Sequence, residues 1–146
     1  MSKGNTFENE FLLHIFNNST IPLIGDATGL LASSTAGSLY VSLHTGDPGE
    51  AGAQNTTEAT YSPYARVAVA RSGAGWTVSG NAVANAALVQ FAQCASGSDL
   101  LTHFAVGTDS SGAGKVLYKG ALTSPLSVSS GIQPQFAAGD LDITED

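Results

Sequence analysis

Charge is what this chain has least of. Only 12% of its 146 residues are Asp, Glu, Lys or Arg, about half the ~25% of an average soluble domain. Basic residues are scarcer still: five Lys and Arg stand against twelve Asp and Glu, a net charge of −7. Lys3, Arg66, Arg71, Lys115 and Lys119 never form a run. Phosphate backbones and anionic bilayers need clustered cations, so neither nucleic acid nor membrane is an expected partner. The lone cysteine, Cys94, excludes an intrachain disulfide framework. No run approaches the ~20 apolar residues of a transmembrane helix, and the N-terminus lacks the basic-then-apolar layout of a secretory signal. Synthesis in a cytoplasm is the resulting expectation.

What remains is apolar and small. Hydrophobic residues make up 42% of the chain, with seventeen glycines and a mean hydropathy of +0.10. That composition argues for a folded globule over a disordered chain. At this length a domain buries roughly 70% of its unfolded surface and needs no metal or disulfide to hold it. The expected organisation is a helix or arm over residues 1–18, then one β domain over 19–146 with a long loop near 45–63. A surface so thinly charged suits a protein packed against neighbours.

The first segment, within residues 1–18, reads as the only good helix. Asn5 followed by Glu8 fits a capping box, and Phe7, Phe11, Leu12, Ile15 and Phe16 recur at helical spacing. Asn17-Asn18-Ser19 stops it. Its apolar face either docks on the chain's own sheet or meets a neighbour; on the second reading Phe7, Phe11 and Ile15 are contact residues.

Residues 39–44 alternate, placing Leu39, Val41 and Leu43 on one strand face, with His44 capping the strand end or facing solvent. In the turn that follows, Pro48 presets one position and Gly49 takes the positive φ. The polar loop beyond is of a length usually found at functional or partner-contacting segments. Asp47, Pro48, Tyr61 and Tyr64 are therefore further candidate contacts. Short strands are expected at 65–70, 76–79, 82–91, 102–107, 115–122, 126–128, 132–136 and 141–144, separated by Gly, Ser and Asn turns. That pattern predicts a mainly β fold, an antiparallel β-sandwich or jelly-roll-like domain. Its core should include Leu39, Val41, Leu43, Val67, Val69, Trp76, Phe91, Phe104, Val106 and Leu117.

Catalytic and ligand motifs fail one by one. The stretch from Gly112 to Lys115 is no phosphate loop, because Asp109 stands where the first glycine belongs and Val116 replaces the metal-holding hydroxyl; a hairpin turn fits it. His14, His44 and His103 are scattered, short of the converging ligands zinc requires, and no loop carries enough oxygen ligands for calcium. No serine sits in G-x-S-x-G, and Cys94 reads as a buried structural thiol. The sequence predicts no catalytic, cofactor-binding or metal residue, no cofactor, and no enzyme.

Several stretches together carry a family resemblance: Phe7-Glu-Asn-Glu-Phe-Leu-Leu13, Leu39-Tyr-Val-Ser-Leu-His-Thr-Gly-Asp-Pro-Gly49 and Tyr61-Ser-Pro-Tyr-Ala-Arg66. Gly80-Asn81 with Asn85, Thr102-His-Phe-Ala-Val-Gly107 and Phe136-Ala-Ala-Gly-Asp-Leu141 extend it over nearly the whole chain. The sequence resembles small virion proteins of tailed bacteriophages, tail-fibre-like or of the capsid cement-decoration kind. The resemblance implies a structural virion component with no catalytic residues. A compact β domain without the long repeats of a fibre shaft suits a cement protein on the outer capsid. Its implied partners are the major capsid protein and copies of itself, as a trimer. The alternative is a tail, baseplate or fibre protein whose partners are other tail proteins or a host-surface glycan.

Overall fold

The periodic N-terminal segment folds as α1 (Asn5–Asn17) in a computed structural model that describes residues 1–145. The strands are β1 (Ser38–His44), β2 (Val67–Ala70), β3 (Trp76–Ser79), β4 (Ala82–Asn85) and β5 (Val89–Gln90). They continue as β6 (Asp99–Gly107), β7 (Val116–Val128), β8 (Gln135–Phe136) and β9 (Asp142–Thr144). The fold is mainly β, the sheet pairings are antiparallel where register is defined, and one short helix precedes them. The chain divides into two compact units. One combines Met1–Ser38, Ala70–Leu88 and the segment from Phe136 on; the other combines Leu39–Val69 and Val89–Gln135.

In the first unit α1 lies on the sheet β3-β4-β9. Gly4, in extended conformation, is the N-cap and no side chain caps the helix. The capping box expected at Asn5 and Glu8 does not form, because a cap needs non-helical backbone and Asn5 is already helical. The Glu8 N–H instead donates to the Gly4 carbonyl at 3.0 Å. The apolar positions also split into two ridges. Glu8, Leu12 and Phe16 are buried, while Phe7 is 37% exposed and Phe11 and Ile15 are half-buried. Each residue turns the helix by about 100°, so only one i, i+4 row can point straight into the core. Phe16 meets Trp76 edge-on at 4.8 Å.

The C-terminus of α1 is closed twice over. Asn18 adopts the left-handed conformation, φ 54°, and its N–H reaches the Leu13 carbonyl. Arg71 then donates from Nε to Ile15 O and from Nη2 to His14 O, both at 2.6 Å, and from Nη1 to Ala36 O at 3.1 Å. A cation there satisfies the last orphan carbonyls and complements the helix dipole. Gly80 and Asn81 form the two-residue β3–β4 hairpin turn, with Gly80 at positive φ. The segment 82–91, expected as one strand, is two. Asn85 ends β4 by donating to the Ala87 and Ala137 carbonyls and accepting the Leu141 N–H.

The second unit carries the sheet β2-β1-β6-β7. Leu39, Val41, Leu43, Val69, Phe91, Phe104 and Val106 are buried as expected, and so is Trp76 in the first unit. Val67 and Leu117 are only half-buried, because β2 and β7 are the outer strands and lack a neighbour on one side. The two strands expected at 115–122 and 126–128 are one, β7. Leu101 pairs Leu126 and His103 pairs Ala121, so residues 122–125 bulge out opposite Thr102, with Pro125 unable to donate to a ladder. His44, expected to cap the strand end or face solvent, is fully buried. The 45–63 loop covers that face of β1, as the contacts below show.

Candidate functional site

The 45–66 segment and the ends of β1 and β6 converge on a polar network within the second unit. Arg66, just before β2, holds the Glu58 carboxylate bidentately, Nε to Oε1 at 2.7 Å and Nη2 to Oε2 at 2.8 Å. The same guanidinium donates to the Asp109 carbonyl at 2.8 Å and the Gly112 carbonyl at 2.6 Å. It therefore fastens the 109–114 turn as well as the long loop. The bond to Glu58 raises the Arg66 pKa against the opposing effect of burial. The Tyr64 hydroxyl donates to Glu58 Oε1 and accepts the Leu43 N–H, each at 3.0 Å; burial pushes its pKa up. Asp99, opening β6, accepts the N–H groups of Thr60 and Tyr61 at 2.7 and 2.8 Å.

Ser42 and His44 form a Ser–His pair, Oγ to Nε2 at 2.8 Å. His44 Nδ1 lies 2.9 Å from the Thr56 carbonyl. A carbonyl only accepts, so Nδ1 carries the proton and Nε2 accepts from the serine hydroxyl. The geometry resembles an activated nucleophile, but both residues are 0% exposed, and no substrate reaches them. The pair instead ties the loop to β1. Burial lowers the His44 pKa below the ordinary 6.5; Thr56 and the Glu58 carboxylate pull it up, and Arg66 and His103 push it down. Below pH 6.5 the unfolded chain therefore takes up a proton that folded His44 resists, and stability falls with falling pH. Urea unfolding between pH 7 and pH 5 should show that slope, and His44→Asn should flatten it.

Gln54 is the second buried tie. Its Nε2 donates to the Tyr40 carbonyl at 3.1 Å and its Oε1 accepts the Asp109 N–H at 3.0 Å. It fits only because Gly107 and Gly114 lack side chains: a methyl at either would overlap the Gln54 amide. Gly107→Ala should cost about 1–3 kcal/mol, the usual range for overfilling a packed interior. In a Gln54→Ala background the same glycine change should cost much less, since the overlapping atoms are gone. Chemical denaturation of the four proteins measures the coupling.

The sequence profile of the family described as Podophage GP4 fiber I protein gp80 matches residues 3–144. The chain belongs to this family. Its members are phage structural proteins of the tail-fibre-like kind, which places this fibre-family protein in the virion. No curated protein matches the chain.

The contact residues expected from sequence fall into different settings in this fibre-family protein. Phe7, Phe11 and Ile15 form the half-exposed ridge of α1, with the Phe7 and Phe11 rings 6.0 Å apart. Asp47 is exposed, accepts the Gly49 N–H at 2.8 Å and pairs with Lys119 at 2.9 Å; those two contacts, Gly49 first, hold its pKa below the usual carboxylate value. Pro48 is buried. Tyr61 is 2% exposed and donates to the Ala92 carbonyl, with its pKa pushed up to about 12 by burial. Tyr64 is half-buried in the network. Tyr61 and Pro48 thus serve the interior, and of the four candidate contacts in this loop only Asp47 is exposed.

Sequence reasoning passed over Glu58 and Gln54 altogether. Ser42 and Arg66 stood in the family motifs without a role. The one available signal was the rarity of arginine and glutamate in so uncharged a chain. Among the described residues no group of three His, Cys, Asp or Glu side chains is placed to hold a metal, and no helix is long and apolar enough to cross a membrane. Cys94 is buried, and residues 109–114 form a turn with Gly112 at positive φ.

Proposed function

We propose that the protein is a fibre subunit of a phage virion that works by holding other virion proteins and not by catalysis. The profile match through residues 3–144 carries this reading, because it spans both compact units. The sealed Ser42–His44 pair and the structural use of Arg66 and Glu58 support the non-catalytic part. Capsid decoration rests on small size, low charge and the absence of the long repeats of a fibre shaft. Copy number separates the two. Quantitative mass spectrometry of purified virions should find a few tens of copies or fewer, with antibody label at the tail. Hundreds of copies spread over the head would overturn the fibre reading in favour of decoration.

The segment from Ile21 to Leu31 supplies an assembly contact on this reading. Ile21 and Leu30 exchange backbone hydrogen bonds at 2.9 and 2.8 Å, and Asp26 accepts the N–H groups of Thr28 and Gly29. The pinned loop projects Leu23 at 78% exposure, with Leu30 and Leu31 also exposed. Leu23 has φ +65°, a conformation that costs a bulky residue about 1–2 kcal/mol. Exposed apolar patches mark interaction sites. Leu23→Asn should stabilise the free protein by up to about 1 kcal/mol, since asparagine tolerates that conformation, while lowering incorporation into virions. Melting curves and virion composition test the two halves.

A further inference from the structure

β7 is an outer strand, so along one side its backbone N–H and C=O groups face away from β6. Just before β7 that outer side is occupied. The Gln54 N–H donates to the Gly114 carbonyl at 2.7 Å, and Ala53 bridges Lys115 antiparallel, while the Lys115 carbonyl accepts from Thr108 on the β6 side. Further along, Lys119 Nζ is tied to the Asp47 carboxylate. The 47–53 turn is therefore fastened beside β7 at two points. Between them it closes on itself, since Gly52 lies so near the Pro48 carbonyl that no methyl would fit. What is left is a groove of about 430 Å³, lined by Gly49 and Glu50 on the turn and by Val116, Leu117, Tyr118 and Lys119 on the strand.

We propose that this groove receives an extended peptide segment of a partner protein, which adds to β7 as a further strand. An open strand edge is matched by extended backbone at about 4.8 Å spacing, the mode of strand-addition recognition. Lysines commonly defend such edges, but Lys119 is held by Asp47 and does not guard this one. Glu50 is exposed and has no ion pair or hydrogen bond among the described residues. It favours a Lys or Arg on the incoming strand, as does the net charge of −7. The bulge at 122–125 with Pro125 ends the pairing surface. The segment received is therefore short, about six residues or roughly 20 Å. A second copy fits less well, because two such edges would bring the unpaired Glu50 of both chains together, each Asp47 being already paired with Lys119.

The proposal names a kind of partner for the assembly role above and rests on it. Its test is direct binding to the isolated full chain, so it can fail while the virion location stands. The probe is the acetylated, amidated peptide Lys-Val-Thr-Val-Lys-Val, set against the same peptide N-methylated at alternate backbone nitrogens and against its Glu-for-Lys counterpart. The expected result is amide hydrogen exchange slowed about tenfold or more within residues 117–119 by the basic peptide. Neither control peptide should produce it, and Glu50→Lys should weaken binding about tenfold. No slowing at millimolar peptide, equal slowing by the N-methylated peptide, or slowing that depends on protein concentration alone would overturn the proposal. The last of these would assign the edge to a second copy.

Discussion

Arg66→Ala is expected to destabilise the protein by about 3–5 kcal/mol, the range for breaking a buried ion pair from one side. The Arg66 side chain is only 2% exposed and that of Glu58 16%. Removing the guanidinium leaves the Glu58 carboxylate sharing only the Tyr64 hydroxyl, and it strips the Asp109 and Gly112 carbonyls of their donor. A domain of ordinary stability has about 5–15 kcal/mol in total, so a large share of the folded population is at stake. Arg66→Lys should recover little, because a point ammonium cannot reproduce four bonds fixed by a planar fork. The paired change Glu58→Leu with Arg66→Met should cost less than Arg66→Ala alone, since it removes the buried charge together with its partner. Urea denaturation of these variants decides it. A loss below about 1 kcal/mol for Arg66→Ala would match a solvated surface pair and contradict the buried clamp.

The second large effect is expected at the helix. Phe16→Ala should cost about 3–5 kcal/mol, as for other buried aromatic truncations, because Phe16 is 0% exposed and lies against Trp76. Phe7→Ala, on the half-exposed ridge, should cost under about 1 kcal/mol. Deleting residues 1–17 should unfold the first unit, since it removes Leu12 and Phe16 from the core and leaves β3 and β4 with an open apolar face. Trp76 is the only tryptophan, so its emission reports this unit directly: a red shift is expected for the deletion and for Phe16→Ala, and none for Phe7→Ala. A deleted chain that keeps buried, blue-shifted emission would show instead that α1 is an arm the fold can do without.

These two expectations also divide what was legible in the residues from what was not. Period and turn chemistry act within a few residues, and there the reading of the sequence holds. The alternation at Leu39, Val41 and Leu43, the Gly80-Asn81 hairpin, the Pro48-Gly49 turn and the helix stop at Asn17 all lie where short-range physics puts them. The mainly β class follows from the same local signals. The helix shows the limit of that reading: spacing identifies five apolar residues, but only docking on Trp76 selects the row of Leu12 and Phe16 over that of Phe7, Phe11 and Ile15.

Polar residues go further astray, because a charge or amide written in sequence carries no mark of being buried. Alternation puts His44 on the open face of β1, and it is open only until the 45–63 loop folds over it with the Thr56 carbonyl. Gln54 reads as loop polarity until two glycines, Gly107 and Gly114, leave room for its amide against the sheet. Glu58 and Arg66 are eight positions apart in sequence, yet the clamp they make depends on a turn more than forty residues further on. The division into two units from interleaved segments is of the same kind. Sequence by itself determined the helix, the Gly80-Asn81 hairpin and where most strands run, since these answer to neighbours a few bonds away, but not the break inside 82–91 or the continuity of β7. Tertiary structure alone decided which polar groups lie inside, because burying one is favourable only when a partner from a distant segment arrives with it.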